Sequence, residues 1–167
     1  ALPDVAYDAD REATEDAMPI RPGSLPELES LELVELSFAA AHNFYWHILP
    51  VAAIDNAGGW LRTGSPTAQP LKRTHGPTSD PDARLIRLEN VPQGLTGPGT
   101  WWLDAAHDRL YLWPRHGTEP TGIEAPVLNE AIRIEGDLDA RRFVHHVNVE
   151  GLTFRGGERM VMRPDRV

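Results

Sequence analysis

The sequence predicts a mostly β protein with one short helix. Its 167 residues include 14 glycines and 15 prolines, and turn residues at this frequency favour short strands over long helices. Two aromatic runs, residues 100–104 and 109–114, are separated by four residues, which is the pattern of a β-hairpin. The composition, 41% hydrophobic and 25% charged, is that of an ordinary soluble globular domain.

The charge balance and the ends of the chain restrict the function. Lys and Arg number 16 against 25 Asp and Glu, a net charge of -9, so we expect no binding to nucleic acid or to an anionic membrane. The absence of cysteine excludes disulfides and thiolate metal sites, and we expect no cofactor. No apolar stretch is long enough for a membrane span. The N-terminus has no initiator Met or signal pattern, which suggests a fragment of a longer protein.

Two segments are predicted to lack regular structure. Residues 1–16 carry six acidic side chains and are expected on the surface, with Val5 and Tyr7 alternating as in a short edge strand. Residues 63–82 contain four prolines and are expected to be an irregular, mobile loop.

One helix and several strands are predicted before the hairpin. Ser24-Leu25-Pro26-Glu27 has the spacing of a capping box and predicts a helix over residues 25–30. The expected strands are residues 31–38, two strands within 43–55, and residues 84–90. Pro50 divides the second of these regions because proline is confined to edges and bends of a sheet. A turn or single helical turn follows over residues 91–95.

The hairpin has a specific predicted register in which Asp104 faces Arg109. The remaining pairs are Leu103 with Leu110, Trp102 with Tyr111, Trp101 with Leu112 and Thr100 with Trp113. One face is wholly apolar and is expected in the core: Trp101, Leu103, Leu110 and Leu112. The other face is aromatic with a polar rim: Thr100, Trp102, Asp104, Arg109, Tyr111 and Trp113.

The remainder of the chain is predicted to form further strands. Leu128, Ile132 and Ile134 keep one parity within residues 123–135, whereas the apolar side chains of residues 147–154 change parity at Glu150-Gly151. Such a change requires a bulge or a corner, where glycine is favoured. Strands that bend at corners are typical of a β-solenoid coil.

The order of these features carries a family resemblance. The segments concerned are Arg21-Pro22-Gly23-Ser24-Leu25, Leu33-Val34-Glu35-Leu36, Leu88-Glu89-Asn90-Val91-Pro92, Pro98-Gly99-Thr100-Trp101-Trp102-Leu103-Asp104, Leu110-Tyr111-Leu112-Trp113-Pro114, Ala125-Pro126-Val127-Leu128 and Val149-Glu150-Gly151-Leu152-Thr153-Phe154. Together they resemble the right-handed parallel β-helix glycoside hydrolases of bacterial polysaccharide breakdown, of the β-xylosidase, fucosidase or xylanase kind. In these proteins a β-rich insert interrupts the early β-helix. The resemblance covers roughly residues 17–155.

The resemblance implies a division of the chain. Residues 1–16 form an acidic N-terminal segment, residues 17–122 a compact, sandwich-like or irregular β-rich insert, and residues 123–167 the return to the first coil of the parallel β-helix. The catalytic acids of these relatives lie on later coils, so no catalytic residue is assigned. A secreted or periplasmic location is implied. The hairpin loop ends in Asp108 where the family has glycine, and Asp also tolerates the left-handed conformation.

Three aromatic residues are the candidate carbohydrate contacts: Trp102, Tyr111 and Trp113. Their alternative role is internal packing, because large aromatic side chains are usually buried. His145 and His146 are expected on opposite faces of a strand, which argues against a shared metal ion. His42 and His47 are expected to be partly buried or rim side chains. We assign no metal site. Asp55 and Asp104 lie at strand ends, where turn roles are usual.

These observations predict an accessory, non-catalytic part of a polysaccharide-degrading β-helix enzyme that shapes the substrate groove. A free-standing carbohydrate-binding module and a purely structural insert are the alternatives. Residues 147–154 would lack a neighbouring coil, so we also expect self-association through this strand edge, or fraying after about residue 145.

Overall fold

The structure is a computed structural model that describes residues 5–39, 46–72, 85–126 and 130–156. Its strands are Ala17–Pro19 (β1), Glu35–Ala39 (β2), Trp46–Asp55 (β3), Trp60–Thr63 (β4), Ile86–Glu89 (β5), Trp101–Asp104 (β6) and Arg109–Leu112 (β7). The helical elements within these ranges are two 3-10 turns, Pro92–Gly94 and Ala105–His107. The mostly β class is therefore confirmed. The described strands pair antiparallel throughout, and they form no β-helix.

The chain divides into two compact units, residues 1–119 and residues 120–167. All seven strands belong to the first unit. In the part of the chain that the structure describes, no helix has the length and apolarity needed to span a membrane.

A five-stranded sheet in the order β1-β4-β3-β2-β5 forms the centre of the first unit. Strand β3 changes its neighbour along its length: Trp46–Pro50 pair with β2, and Val51–Asp55 pair with β4. The ladder is irregular between Val51 and Ala53, directly after Pro50. The two strands predicted on either side of Pro50 are thus one strand, since the missing proline N–H changes the partner rather than ending the strand.

The core lies on this sheet and includes side chains from nearly every strand. Its largest members with almost no exposure are Phe38, Met18, Ile20, Leu36, Leu61, Leu71, Ile86 and Leu88. Burying a side chain of this size contributes about 1.5 to 3 kcal/mol, so the sheet is the main source of stability of this unit.

The acidic N-terminal segment covers both edges of the sheet. The Val5 amide donates to the Ile86 carbonyl of β5 at 2.7 Å, and the Asp8 amide donates to the Pro19 carbonyl of β1 at 3.1 Å. Tyr7 forms the predicted strand-like bridge, with Ile20. Val5 is buried in the core cluster, so the segment is an integral part of the unit rather than only a surface strand. Edges covered in this way are protected from pairing with another chain.

The loop after β4 is irregular as predicted, but its described part is anchored. The Thr67 amide donates to the Glu15 carbonyl at 2.9 Å, and the Leu71 amide donates to the Thr14 carbonyl at 2.8 Å. Leu71 is buried in the core. Residues 73–82, the rest of the loop predicted to be mobile, lie outside the described residues.

The helix predicted over residues 25–30 does not form. Both backbone groups of Leu25 are bonded to the side chain of Asn56: the Leu25 amide donates to Oδ1 at 3.2 Å, and Nδ2 donates to the Leu25 carbonyl at 2.7 Å. That carbonyl is the one a helix would need for its next turn. The local capping signal is therefore overridden by a contact with a residue distant in sequence.

The neighbouring strands also differ at their boundaries. Strand β2 begins at Glu35 rather than at Leu31, because Leu33 has a left-handed φ of 59° and the Val34 amide closes a turn on the Leu31 carbonyl. Strand β5 and the helical turn at Pro92–Gly94 are as predicted.

The second unit contains little regular structure in its described residues. An isolated bridge joins Asp137 to Arg142, and the Arg142 guanidinium hydrogen-bonds Asp137 and holds the pKa of that carboxyl below its usual value. The strands predicted in 123–135 and 147–154 are absent from the described residues there, which include no partner strand for them. Their apolar side chains are exposed, among them Ile132, Ile134, Val147, Val149, Leu152 and Phe154.

Candidate functional site

The hairpin β6–β7 has the predicted register. Trp101 pairs with Leu112, Trp102 with Tyr111, Leu103 with Leu110 and Asp104 with Arg109. The loop closes through Asp108, whose φ of 51° and ψ of 44° are left-handed. Asp at this position therefore adopts the left-handed conformation that the sequence analysis expected of it.

The prediction that the apolar face of the hairpin enters the core is wrong. Trp101 is 59% exposed and Leu110 is 46% exposed, while Leu103 and Leu112 are half-buried. The hairpin contacts the rest of its unit mainly near the Pro92–Gly94 turn, so this face does not reach the five-stranded sheet. The opposite face, which carries Trp102, lies toward the rest of the first unit instead.

The Asn90 side chain hydrogen-bonds the hairpin to the rest of the unit. Its Oδ1 accepts the Leu103 amide at 3.0 Å, and its Nδ2 donates to the Leu103 carbonyl at 3.1 Å. Asn90 itself adopts a left-handed φ of 55°, a conformation that asparagine tolerates better than most residues. These two hydrogen bonds fix the backbone of Leu103, which lies between Trp102 and Asp104 in β6.

Beside this contact is a cleft of about 450 Å³. One wall comes from the segment that was expected to be helical, residues 27–32, and the other from the hairpin. The lining residues are Glu27, Leu28, Glu29, Ser30, Glu32, Asn90, Pro92, Gln93, Trp102, Leu103, Asp104, Ala105, Ala106 and His107. A volume of this size falls in the range of small-ligand pockets.

Each of the two walls is held by an asparagine side chain that hydrogen-bonds a backbone amide and a backbone carbonyl. Asn56 binds both backbone groups of Leu25, just before the first wall, as Asn90 binds both backbone groups of Leu103 in the second. A side-chain amide satisfies one peptide donor and one acceptor at once. Sequence reasoning missed both asparagines and the cleft, because the contacts join positions 31 and 13 residues apart.

The aromatic candidates have different positions in this site. The Trp102 and Tyr111 rings are stacked, with centroids 5.0 Å apart and planes at 18°, and Trp102 lines the cleft. Trp113 extends the ladder beyond β7, because its amide donates to the Thr100 carbonyl at 2.9 Å. It is 49% exposed and does not line the cleft. The structure therefore brings Trp102 and Tyr111 into contact and leaves Trp113 at the outer end of the same face.

The lining of the cleft is acidic. Carboxylates come from Glu27, Glu29, Glu32 and Asp104, and the lining includes no Lys or Arg. His107 Nδ1 lies 2.9 Å from Asp104 Oδ2. Arg109, the cross-strand neighbour of Asp104, is exposed and does not line the cleft. The first unit as a whole has 17 acidic and 9 basic residues, so its field favours ligands without negative charge.

Other residues that the sequence singled out have structural roles. Asp55 Oδ1 accepts the Gly58 amide at 2.7 Å in the turn between β3 and β4, and His47 is half-buried beside the ring of Phe38. His145 and His146 do not point apart, because His146 has a left-handed φ and the segment is not a strand; their Nδ1 atoms are 2.9 Å apart. His42 lies outside the described residues. Within the described ranges no group of three or more His, Cys, Asp or Glu is placed to hold a metal ion.

Comparison with protein-family models, with curated proteins and with solved structures finds no match to this chain. The fold and the site together define a β-rich domain with an aromatic, acidic cleft between a hairpin and an irregular segment.

Proposed function

We propose that the first unit is a non-catalytic carbohydrate-recognition domain whose binding site is the cleft beside Trp102. The observation that carries this proposal is the position of the Trp102 ring, which is stacked on Tyr111 and borders a cleft lined by carboxylates and amides. The proposal develops the sequence expectation for Trp102, Tyr111 and Trp113.

The ring pair suits a sugar for a physical reason. A pyranose ring presents apolar C–H groups on its faces and hydroxyl groups around its edge, so it packs on an aromatic face and hydrogen-bonds sideways. Tyr111 covers one side of the Trp102 ring and restricts its motion, which lowers the entropy lost on binding.

The polar lining suits the edge of the same sugar. Carboxylate oxygens of Glu29, Glu32 and Asp104 accept hydrogen bonds from hydroxyl groups, and the side chain of Gln93 both donates and accepts. Exposed Trp113 and Tyr111 on the same hairpin face extend the aromatic surface beyond the cleft. An extended chain of sugars therefore fits this surface better than one ring.

Replacing Trp102 with alanine is the direct test. We expect at least about a tenfold loss of affinity for the bound oligosaccharide, the change that about 1.4 kcal/mol of contact energy produces. The measurement is titration calorimetry with xylo-, gluco-, manno- and galacto-hexaoses. The matched control is Trp101→Ala, which removes an exposed tryptophan from the other face of the same strand and should leave affinity unchanged.

Three results would contradict the proposal. Binding of none of these sugars by the parent chain, or equal loss in both tryptophan variants, would remove the cleft as the site. Turnover of aryl xylosides or fucosides that disappears in a Glu32→Gln or Asp104→Asn variant would show that the domain is catalytic.

The larger role is also part of the proposal: an accessory part of a secreted or periplasmic β-helix enzyme that degrades polysaccharides. Its support is the resemblance in the order of sequence features and the second unit, in which Val147 and Val149 alternate with polar residues and are exposed. The open cleft beside Trp102 and the exposed Tyr111 and Trp113 on the same hairpin face favour a binding role over a purely structural insert.

Self-association through residues 147–154 follows from the same exposed side chains. We expect the apparent mass in sedimentation equilibrium to rise with concentration, because Val147, Val149, Leu152 and Phe154 are 47–60% exposed and are stabilised by burial between chains. Val149→Asp should shift the chain toward monomer, whereas Thr153→Asp, a polar position in the same segment, should have a smaller effect. A monomer at all concentrations would contradict this expectation.

A further inference from the structure

We infer that the cleft selects uncharged glycans and excludes chains of uronic acids, with Glu29 and Glu32 as specificity-determining residues. This inference rests on the proposed function, since it concerns which sugars the same site accepts.

The first step is the inventory of charge around the ligand position. Among the residues that line the cleft, four are carboxylates and none is Lys or Arg. Recognition of a carboxylate-bearing sugar normally uses arginine or lysine, which supply charge-assisted hydrogen bonds. The cleft has neutral donors, such as Asn90 and Gln93, but both Asn90 polar atoms are already bonded to Leu103.

The second step is that the cleft carboxylates are not neutralised by the surrounding protein. The described ion pairs do not involve Glu27, Glu29 or Glu32, and Asp104 is paired with a histidine rather than with a permanent cation. Apart from these four carboxylates, the first unit has 13 acidic and 9 basic residues, a further net charge of -4. A uronate entering the cleft therefore meets repulsion from both near and distant charges.

The third step is that the cleft is small enough for this repulsion to act. Repulsion between two like unit charges about 6 Å apart in water lowers affinity roughly threefold. A uronate chain carries one negative charge per ring, and several cleft carboxylates repel it at once. We expect at least about tenfold weaker binding of a uronate hexamer than of its uncharged counterpart at low salt. The carboxylates do not penalise an uncharged sugar, because its hydroxyl groups donate to them.

The experiment compares matched ligands. Each gluco-, manno- or galacto-hexaose that binds is paired with the same chain in which the C6 hydroxymethyl groups are oxidised to carboxylates, and the xylo-hexaose is paired with a xylo-oligosaccharide bearing glucuronic acid. Affinities are measured for the parent chain at low salt and at 1 M NaCl, where screening shortens the range of the repulsion to about 3 Å. The ratio of neutral to acidic affinity should fall toward one at high salt.

The variants separate local from global charge. Glu29→Gln combined with Glu32→Gln should lower the ratio of neutral to acidic affinity by at least about threefold. The control, Glu12→Gln with Glu15→Gln, removes the same charge from exposed positions outside the cleft and should change the ratio less.

The outcomes distinguish this inference from the proposed function. Equal or tighter binding of the acidic ligands, or a ratio that the control pair changes as much as the cleft pair, overturns the inference and leaves the glycan site standing. Absence of binding to every hexaose overturns the proposed function itself. Binding of oligolysine with no binding of any sugar overturns both, because it assigns the acidic cleft to a basic peptide.

Discussion

Phe38→Ala is expected to destabilise the first unit by about 3 to 5 kcal/mol, the usual cost of removing a buried phenylalanine ring. Phe38 is 1% exposed, belongs to the core cluster, and lies on β2 between β3 and β5. Removal of the ring leaves a cavity. Because β2 is hydrogen-bonded to β3 and to β5, the sheet can close this cavity only in part. The measurement is urea unfolding followed by tryptophan fluorescence.

The control for this prediction is Trp101→Ala. The sequence alone predicts a comparable loss for Trp101, because it assigns that residue to the core, but its 59% exposure reduces the expected cost to below about 1 kcal/mol. A Trp101 variant destabilised as strongly as the Phe38 variant would mean that the hairpin face is covered in solution.

Gly59→Ala is expected to be nearly as damaging, because the site combines strain with a clash. Gly59 has a φ of +72°, and a Cβ atom there would lie 2.5 Å from the Ile20 carbonyl oxygen and 2.8 Å from an Arg11 guanidinium nitrogen. The Gly59 carbonyl also accepts the Ile20 amide and Arg11 Nη1. Any shift that relieves the clash therefore disturbs the bonds that join this turn to the chain after β1.

Gly23→Ala separates the two effects. Gly23 has the same φ of +72° with nothing within 4 Å of a Cβ atom, so alanine there adds only the conformational cost of about 1 to 2 kcal/mol. We expect Gly59→Ala to exceed it by about 2 kcal/mol or more in the same unfolding experiment. Equal losses would show that the Gly59 turn relaxes without cost.

The features predicted from sequence are those that depend on neighbours along the chain. The register of β6–β7 follows from alternation and from a four-residue loop, so Trp102 was correctly paired with Tyr111. The left-handed Asp108 follows from the same loop. Strand β5 and the turn at Pro92–Gly94 likewise rest on local apolar and proline signals.

The features that escaped prediction depend on contacts distant in sequence. Ser24 and Glu27 satisfy a helix-capping pattern, yet Asn56 takes the backbone groups of Leu25 that the helix would use. The hairpin has an apolar and an aromatic face, and alternation does not determine which of them meets the domain. An asparagine distant in sequence binds the backbone at or beside each wall of the cleft, so neither wall alone indicates a binding site.

The sharing of β3 between two neighbours has a consequence for how the first unit unfolds. Since Trp46–Pro50 pair with β2 and Val51–Asp55 pair with β4, removing either half of the sheet strips a partner from the same strand. The amides of the two halves of the sheet therefore lose their protection from hydrogen exchange together, as one cooperative unit, rather than one half after the other. Slow amide exchange should have a common opening free energy across β2, β3 and β4.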